Sequence, residues 1–217
     1  MERVAFVMYG DKHYVKIQEM LIKSIRNIYP TAAIFAFRSF SDIHPNCPSH
    51  SEAPYAFKLY AIEHARFRGY DIVIWLDSPN RLIRPIEDWI VEISNVGVYL
   101  QRDGWMCGQW ANDNCLKYFG VSRDEAMNIP NIYASIIAFD FRSAIANEFM
   151  NRWRNACQEG VFRGNVKNDK KTESQDPRCL GHRHDQSCAE LIAYQMGIEL
   201  QPMVLGENKH FMSWIDV

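Results

Sequence analysis

Three clusters in this 217-residue chain have residue types and spacings that could do chemistry. Asp77 follows the apolar run Ile72-Val73-Ile74-Trp75-Leu76 and precedes a Ser78-Pro79-Asn80 turn. A run without alternation predicts a strand buried on both faces, and a carboxylate at its end points into the crevice beyond the strand C-termini, where open α/β sheets bind ligands. A carboxylate that only caps the turn accounts for the same position. Asp185 and Gln186 open a helical pattern ending at Gly197, and Asp185 suits the N-cap. Cys179, His182, His184 and Cys188 form a C-x2-H-x-H-x3-C cluster whose donors could hold structural zinc, although His-x-His on one short turn suits a tetrahedron poorly. Ordinary loop residues are the alternative.

The elements that must position these residues follow from periodicity. Residues 3–9 predict a buried strand, and Ile17, Met20, Leu21, Ile25 and Ile28 mark one face of the helix after it. Residues 32–37 predict a second strand, 39–54 a surface loop, and 55–67 a helix entered at Pro54 and stopped by Gly69 before the central strand. Beyond Asp77 come a helix with Pro85 in its first turn and Ile86, Trp89, Ile90 and Ile93 on one face, and a strand over 96–100. Residues 101–130 read as a binding loop with short helices. A strand over 132–140, a helix to about Cys157, a long polar loop over 160–183 and a helix over 186–196 follow. The order predicts one α/β domain over residues 1–217, itself able to be part of a longer protein, with a Rossmann-like, mixed and mostly parallel sheet flanked by helices.

Composition narrows the function. A formal charge of −2, with no basic tract, argues against nucleic acid as a partner. No apolar run approaches the ~20 residues of a membrane span, and the opening residues are too few for a signal peptide. Six scattered cysteines in a chain of this size predict reduced thiols in a cytoplasm-like compartment.

The segment IVIWLDS with its following Arg84-Pro85-Ile86 resembles the central strand and Asp-X-Asp region of nucleotide-sugar glycosyltransferases with the GT-A fold. The order of Tyr14-Val15-Lys16, Lys58-Leu59, Ala134-Ser135, Asp185-Gln186 and Lys209-His210-Phe211 is similar to the retaining families 8 and 34, and within them to chlorella-virus glycosyltransferase domains, which would place a viral chain in the host cytoplasm. The resemblance implies transfer of a sugar from a UDP-sugar to a hydroxyl on a glycan or glycoprotein, with retention. It implies donor binding by Tyr9, Gly10, Tyr14, Lys58, Asp77, Ser78 and His210, with Tyr14 stacking on the base and Gly10 admitting it close to the backbone. It also implies that Asp185 and Gln186, with Lys58, act at the donor sugar.

Departure of a nucleoside diphosphate leaves negative charge on phosphate, which a divalent ion stabilises as a Lewis acid. The resemblance implies Mn2+ or Mg2+ held by Asp77 and His210. The second acidic ligand belongs two residues after Asp77, where this chain has Pro79, so Asn80, a turn carbonyl or water must replace it. Without the resemblance, Lys58 reads as a solvated helix lysine, His210 as an exposed histidine, and Tyr9, Gly10 and Tyr14 as core and turn residues. Pro79 also suits a protein of the same fold that binds sugar nucleotides or glycans without turnover.

Overall fold

The computed structural model describes residues 3–165, 170–206 and 209–213. Parts of three segments read from the sequence, 166–169 of the long loop, 207–208 of the Gly206–Phe211 stretch and 214–217 of the tail, lie outside the described residues. Strand β1 (Val4–Tyr9) is followed by helix α1 (Val15–Ile28), β2 (Ala33–Phe37), α2 (Phe40–Ile43), α3 (Ala56–Phe67) and β3 (Ile72–Leu76). Next come β4 (Asn80–Leu82), α4 (Glu87–Val96), β5 (Val98–Tyr99), β6 (Arg102–Met106), α5 (Cys107–Trp110), α6 (Asp113–Phe119), α7 (Arg123–Ala126) and β7 (Pro130–Ile132). The order continues with β8 (Ile136–Asp140), α8 (Ala144–Gln158), α9 (Lys170–Glu173), α10 (Asp185–Gln195) and β9 (Phe211–Ser213).

The main sheet has five strands in the order β2-β1-β3-β8-β5. It is mixed: β1 pairs in parallel with β2 and β3, whereas β8 is antiparallel to both β3 and β5. All five residues of β3 are buried, because alternate side chains enter two cores. Val73 and Trp75 face the core built with α3, α8 and α10, while Ile72, Ile74 and Leu76 face the one built with α1 and α4. A strand sealed on both faces leaves its carboxyl end as the place where polar side chains converge.

Two pairings escape a reading of periodicity. The stretch over 101–130 contains β6, which pairs antiparallel with β7, and the strand expected over 132–140 is split there into β7 and β8. The split has a physical cause, since Ala134 turns its carbonyl to the Lys58 ammonium and Tyr133 gives its N–H to the Gln101 carbonyl. The three-residue strands β4 and β9 pair antiparallel, too short for either to show a period. No helix among the described residues is long and apolar enough to cross a membrane. All six cysteines are free thiols.

Candidate active site

Trp75 and Asp77 are two residues apart on one strand and so point to the same side of the sheet. A buried indole N–H needs an acceptor. Trp75 Nε1 donates to Asp77 Oδ1 at 2.7 Å, which orients the carboxylate at the strand end. Asp77 Oδ2 has no hydrogen bond to any described residue, and the side chain is 40% exposed on a cavity of about 270 Å³.

Lys58, in the first turn of α3, is 3% exposed and therefore not the solvated lysine of a bare sequence reading. A buried ammonium requires compensation. It donates to the Ala134 carbonyl at 2.9 Å and lies 3.1 Å from Asp185 Oδ2 and 3.9 Å from Asp77 Oδ1. Burial lowers the Lys58 pKa, but Asp185 and Asp77 together outweigh it and hold the ammonium above its ordinary value. Burial raises the Asp77 and Asp185 carboxyls, and Lys58 opposes the rise in each. Lys58 thus makes one hydrogen bond, to the Ala134 carbonyl, and two ion-pair contacts, the nearer with Asp185.

Asp185 is the first residue of α10, where the helix dipole favours negative charge. The N-cap position expected for it belongs to His184, at φ 51°, without a side-chain cap bond. Gln186 is fixed by β7: its Nε2 donates to Asn131 Oδ1 and to the Ile132 carbonyl, each at 2.8 Å. A backbone carbonyl can only accept, so the amide nitrogen must face β7. Gln186 Oε1 receives no bond from the described residues. Lys58, Asp77, Asp185 and Gln186 line the one cavity, with Tyr55 and Arg183, which the sequence reading missed. Tyr55 (φ 61°) and His184 (φ 51°) immediately precede the helices that carry Lys58 and Asp185, and their rings stack at 5.8 Å. Non-glycine residues in this backbone region mark sites that surrounding structure over-determines. A larger hollow of about 800 Å³, lined by Cys47, Tyr60 and Arg163, has no comparable cluster of buried charge.

Other expected residues are placed differently. His210 is not brought to Asp77, because β9 runs antiparallel to β4 and sets Ser213, not His210, opposite Asn80. His210 Nδ1 bonds the Pro85 carbonyl at 2.8 Å, its Nε2 lies 3.6 Å from Asp88, and it lines a separate hollow with Arg84 and Lys209. Asn80 is buried and spends its Nδ2 on the Asp77 carbonyl and on Ser135; its Oδ1 has no partner among the described residues and does not line the cavity. Ser78 Oγ donates to the Tyr9 carbonyl, which ties the ends of β3 and β1 together. A Cβ on Gly10 would lie 2.9 Å from Ser78 Oγ and 3.1 Å from Gln18 Cβ, so the glycine is required by its own neighbours. Tyr9 is packed on Phe40 and Phe57, and burial and then Asp11 push its hydroxyl up to about 12. Tyr14, 52% exposed at the start of α1, keeps its ring open to a ligand.

The Cys/His cluster does not converge. The His182 ring is bonded to the Val161 carbonyl and the Asn112 N–H, His184 Nδ1 to the Phe162 carbonyl, Cys179 to the Ala111 and Gly181 carbonyls, and Cys188 faces Cys115 at 3.9 Å. Burial, then His184, drives His182 down to about 3, which keeps it neutral. Among the described residues there is no group of three or more His, Cys, Asp or Glu able to hold a metal. A divalent Mg2+ or Mn2+ ion looks for about 6 oxygen donors. Among the described residues the carboxylates that line the cavity are Asp77 and Asp185, and the Lys58 ammonium already lies against both. The described residues do not fit a resident divalent ion.

A mixed sheet with this order, and a carboxylate at the end of its central strand, is the GT-A fold of glycosyltransferases. The structure is similar to the apo form of the bifunctional glycosyltransferase WbbM, with a TM-score of 0.54 and 15% identity over 94% of this chain and 39% of that one. It is also similar to mouse xyloside xylosyltransferase 1, with a TM-score of 0.51 and 8% identity over 96% of this chain and 89% of the other. A glycosyltransferase involved in glycosylation of the major capsid of PBCV-1 is a looser likeness at 0.46, with 13% identity over 72% of this chain and 67% of that one. The chain thus spans well under half of the bifunctional protein. No protein-family model matches the sequence, and no curated protein matches it.

Proposed function

We propose that this chain transfers a glycosyl group from a UDP-sugar to a hydroxyl of a glycan or glycoprotein acceptor, with retention at the anomeric carbon. The observation that carries the reading is the tethered amide of Gln186. Its nitrogen is held by Asn131 and Ile132, its oxygen takes no bond from the described residues, and the side chain lines the same cavity as Lys58 and Asp185. An amide oxygen fixed in this way presents the negative end of a dipole where a sugar develops positive charge as its bond to phosphate lengthens. Asp185, neutralised in part by Lys58, serves the sugar hydroxyls as an acceptor. Hydrolases that retain configuration by double displacement use two carboxyl groups about 5–5.5 Å apart, one as acid and one as nucleophile. Here Asp185 is buried against Lys58 and Asp77 is oriented by Trp75, so attack by the acceptor hydroxyl on the leaving-group face is the better match. The uridine lies against Tyr14 at the carboxyl end of β1, with Ser78 and Gly10 shaping the floor.

Gln186→Ala tests the assignment. UDP affinity should stay nearly unchanged, while transfer, or slow hydrolysis of the UDP-sugar without acceptor, falls by ~10²-fold or more, as when a transition-state contact is lost. Equal losses in affinity and turnover would move Gln186 to the nucleotide and break the assignment. A thermal-shift panel of UDP, GDP, CMP and ADP should single out UDP. A wild-type protein that binds a UDP-sugar yet releases no UDP over hours is a binder and not a transferase.

A further inference from the structure

The cavity brings together two acidic and two basic side chains, and only one of the basic ones is uncommitted. Lys58 is buried, hydrogen-bonded to the Ala134 carbonyl and ion-paired with Asp185 and Asp77. Arg183 is exposed, lines the same cavity, and makes no ion pair with any described residue. Its guanidinium lies 4.2 Å above the Trp110 ring, which in turn packs edge-on against Trp105 at 5.8 Å. Its backbone N–H bonds the Trp110 carbonyl at 2.9 Å, so both the main chain and the side chain of Arg183 are anchored to Trp110. A guanidinium held over an aromatic face by its carbon can still turn N–H groups at its edge to a planar acceptor.

We propose that Arg183 receives the diphosphate of the sugar nucleotide, and that this chain binds its donor without a divalent ion. The proposal rests on the transferase reading and assigns the charge that a metal would otherwise carry. Two features support it. Among the described residues the donors for an ion are too few, with Pro79 two residues after Asp77 and His210 turned to Pro85 and Asp88. Among the side chains that line the cavity, Lys58 and Arg183 offset Asp77 and Asp185, with Asp103 also within electrostatic reach of Arg183, so removal of Arg183 leaves the lining net negative toward an arriving diphosphate. Paired N–H donors match two phosphate oxygens, a contact stronger than a neutral hydrogen bond and pre-organised by the stack on Trp110. In the transfer step the electron pair of the breaking C1–O bond goes to the leaving phosphate oxygen. The acceptor oxygen forms the new bond to C1, and its proton ends on the diphosphate. Arg183 holds the charge that accumulates there.

The test is calorimetric titration of the whole chain with inorganic diphosphate and with UDP, each in EDTA and in Mn2+, for wild type, Arg183→Ala and Arg183→Lys. Diphosphate and UDP are expected to bind in EDTA, with Mn2+ changing the affinity by less than about 2-fold, and Arg183→Ala to weaken both by about 10-fold or more. Arg183→Lys should recover only part, because an ammonium lacks the paired donors. Binding that requires Mn2+, or that survives Arg183→Ala unchanged, overturns the proposal while leaving the transferase reading in place. Absence of diphosphate and UDP binding under every condition overturns it as well. Diphosphate bound in EDTA through Arg183 but no more weakly than UDP would keep the anion site and remove the uridine part of the transferase reading.

Discussion

At the scale of single residues, the centre of this protein is a cation enclosed between two acids. Breaking a buried pair by deleting one partner costs about 3–5 kcal/mol, because the remaining charge has no compensation. Lys58→Met should therefore lower the melting temperature by roughly 10 °C or more in a domain of this size, and adding Asp185→Asn should restore part of the loss. Additive losses in that cycle would show that the 3.1 Å contact carries no coupling. A second buried acid lies one turn further along α10. Glu190 accepts from the Ile132 N–H, and burial, opposed by the neighbouring Cys107, Ile132 and Gln186, pushes its carboxyl from 4.5 up to about 8. Between those values the folded chain keeps a proton that the unfolded chain has released, so stability contributed at this position falls as pH rises from about 4.5 to about 8. Glu190→Gln should flatten that slope and leave the variant more stable than wild type near the upper limit, as read by urea denaturation at both ends. An unchanged slope would place the titration elsewhere.

At the scale of elements, the site is assembled by helix starts meeting strand ends. Helix α3 enters from Tyr55 and α10 from His184, both in the left-handed region, where a side chain costs about 1–2 kcal/mol relative to an ordinary turn. The sequence gives no sign of this, since neither position is glycine or asparagine. Helix α10 is buried at eight of its eleven positions, including Asp185, Ser187 and Glu190, which is why its amphipathic period is weak. The small helices α5 and α7 brace its far side at one close contact: a Cβ on Gly108 would stand 2.7 Å from the Met127 backbone nitrogen. Backbone cannot swing aside as a side chain can, so Gly108→Ala is expected to destabilise by about 1–3 kcal/mol. A denaturation midpoint equal to wild type would mean that the α5–α7 packing is looser than this geometry.

Across the whole molecule there are six thiols, five of them buried and none in the core that contains α1 and α4. Cys47 alone is partly accessible, and burial, then Cys157, raises it to about 12. An aromatic disulfide reagent should titrate no more than one thiol slowly in the native protein and all six after denaturation. Rapid reaction of several would show that the core opens. The sequence by itself determined what local rules can determine. The unbroken apolar run of β3, the terminal Asp77, and the helices after Gly10, after Pro54 and before Gly197 follow from periodicity, turn chemistry and breakers within a few residues. A capping acid and the stop at Gly197 also place Asp185 and Gln186 at a helix start. Which of these residues meet was decided only by tertiary structure, through contacts between residues far apart in the chain. Lys58 is buried because Ala134, Asp77 and Asp185 converge on it from three other segments. His210 is turned away from Asp77 by the antiparallel register of two three-residue strands, too short to carry a pattern. Arg183 becomes a cation at the cavity only because Trp110, on a separate short helix, lies beneath it.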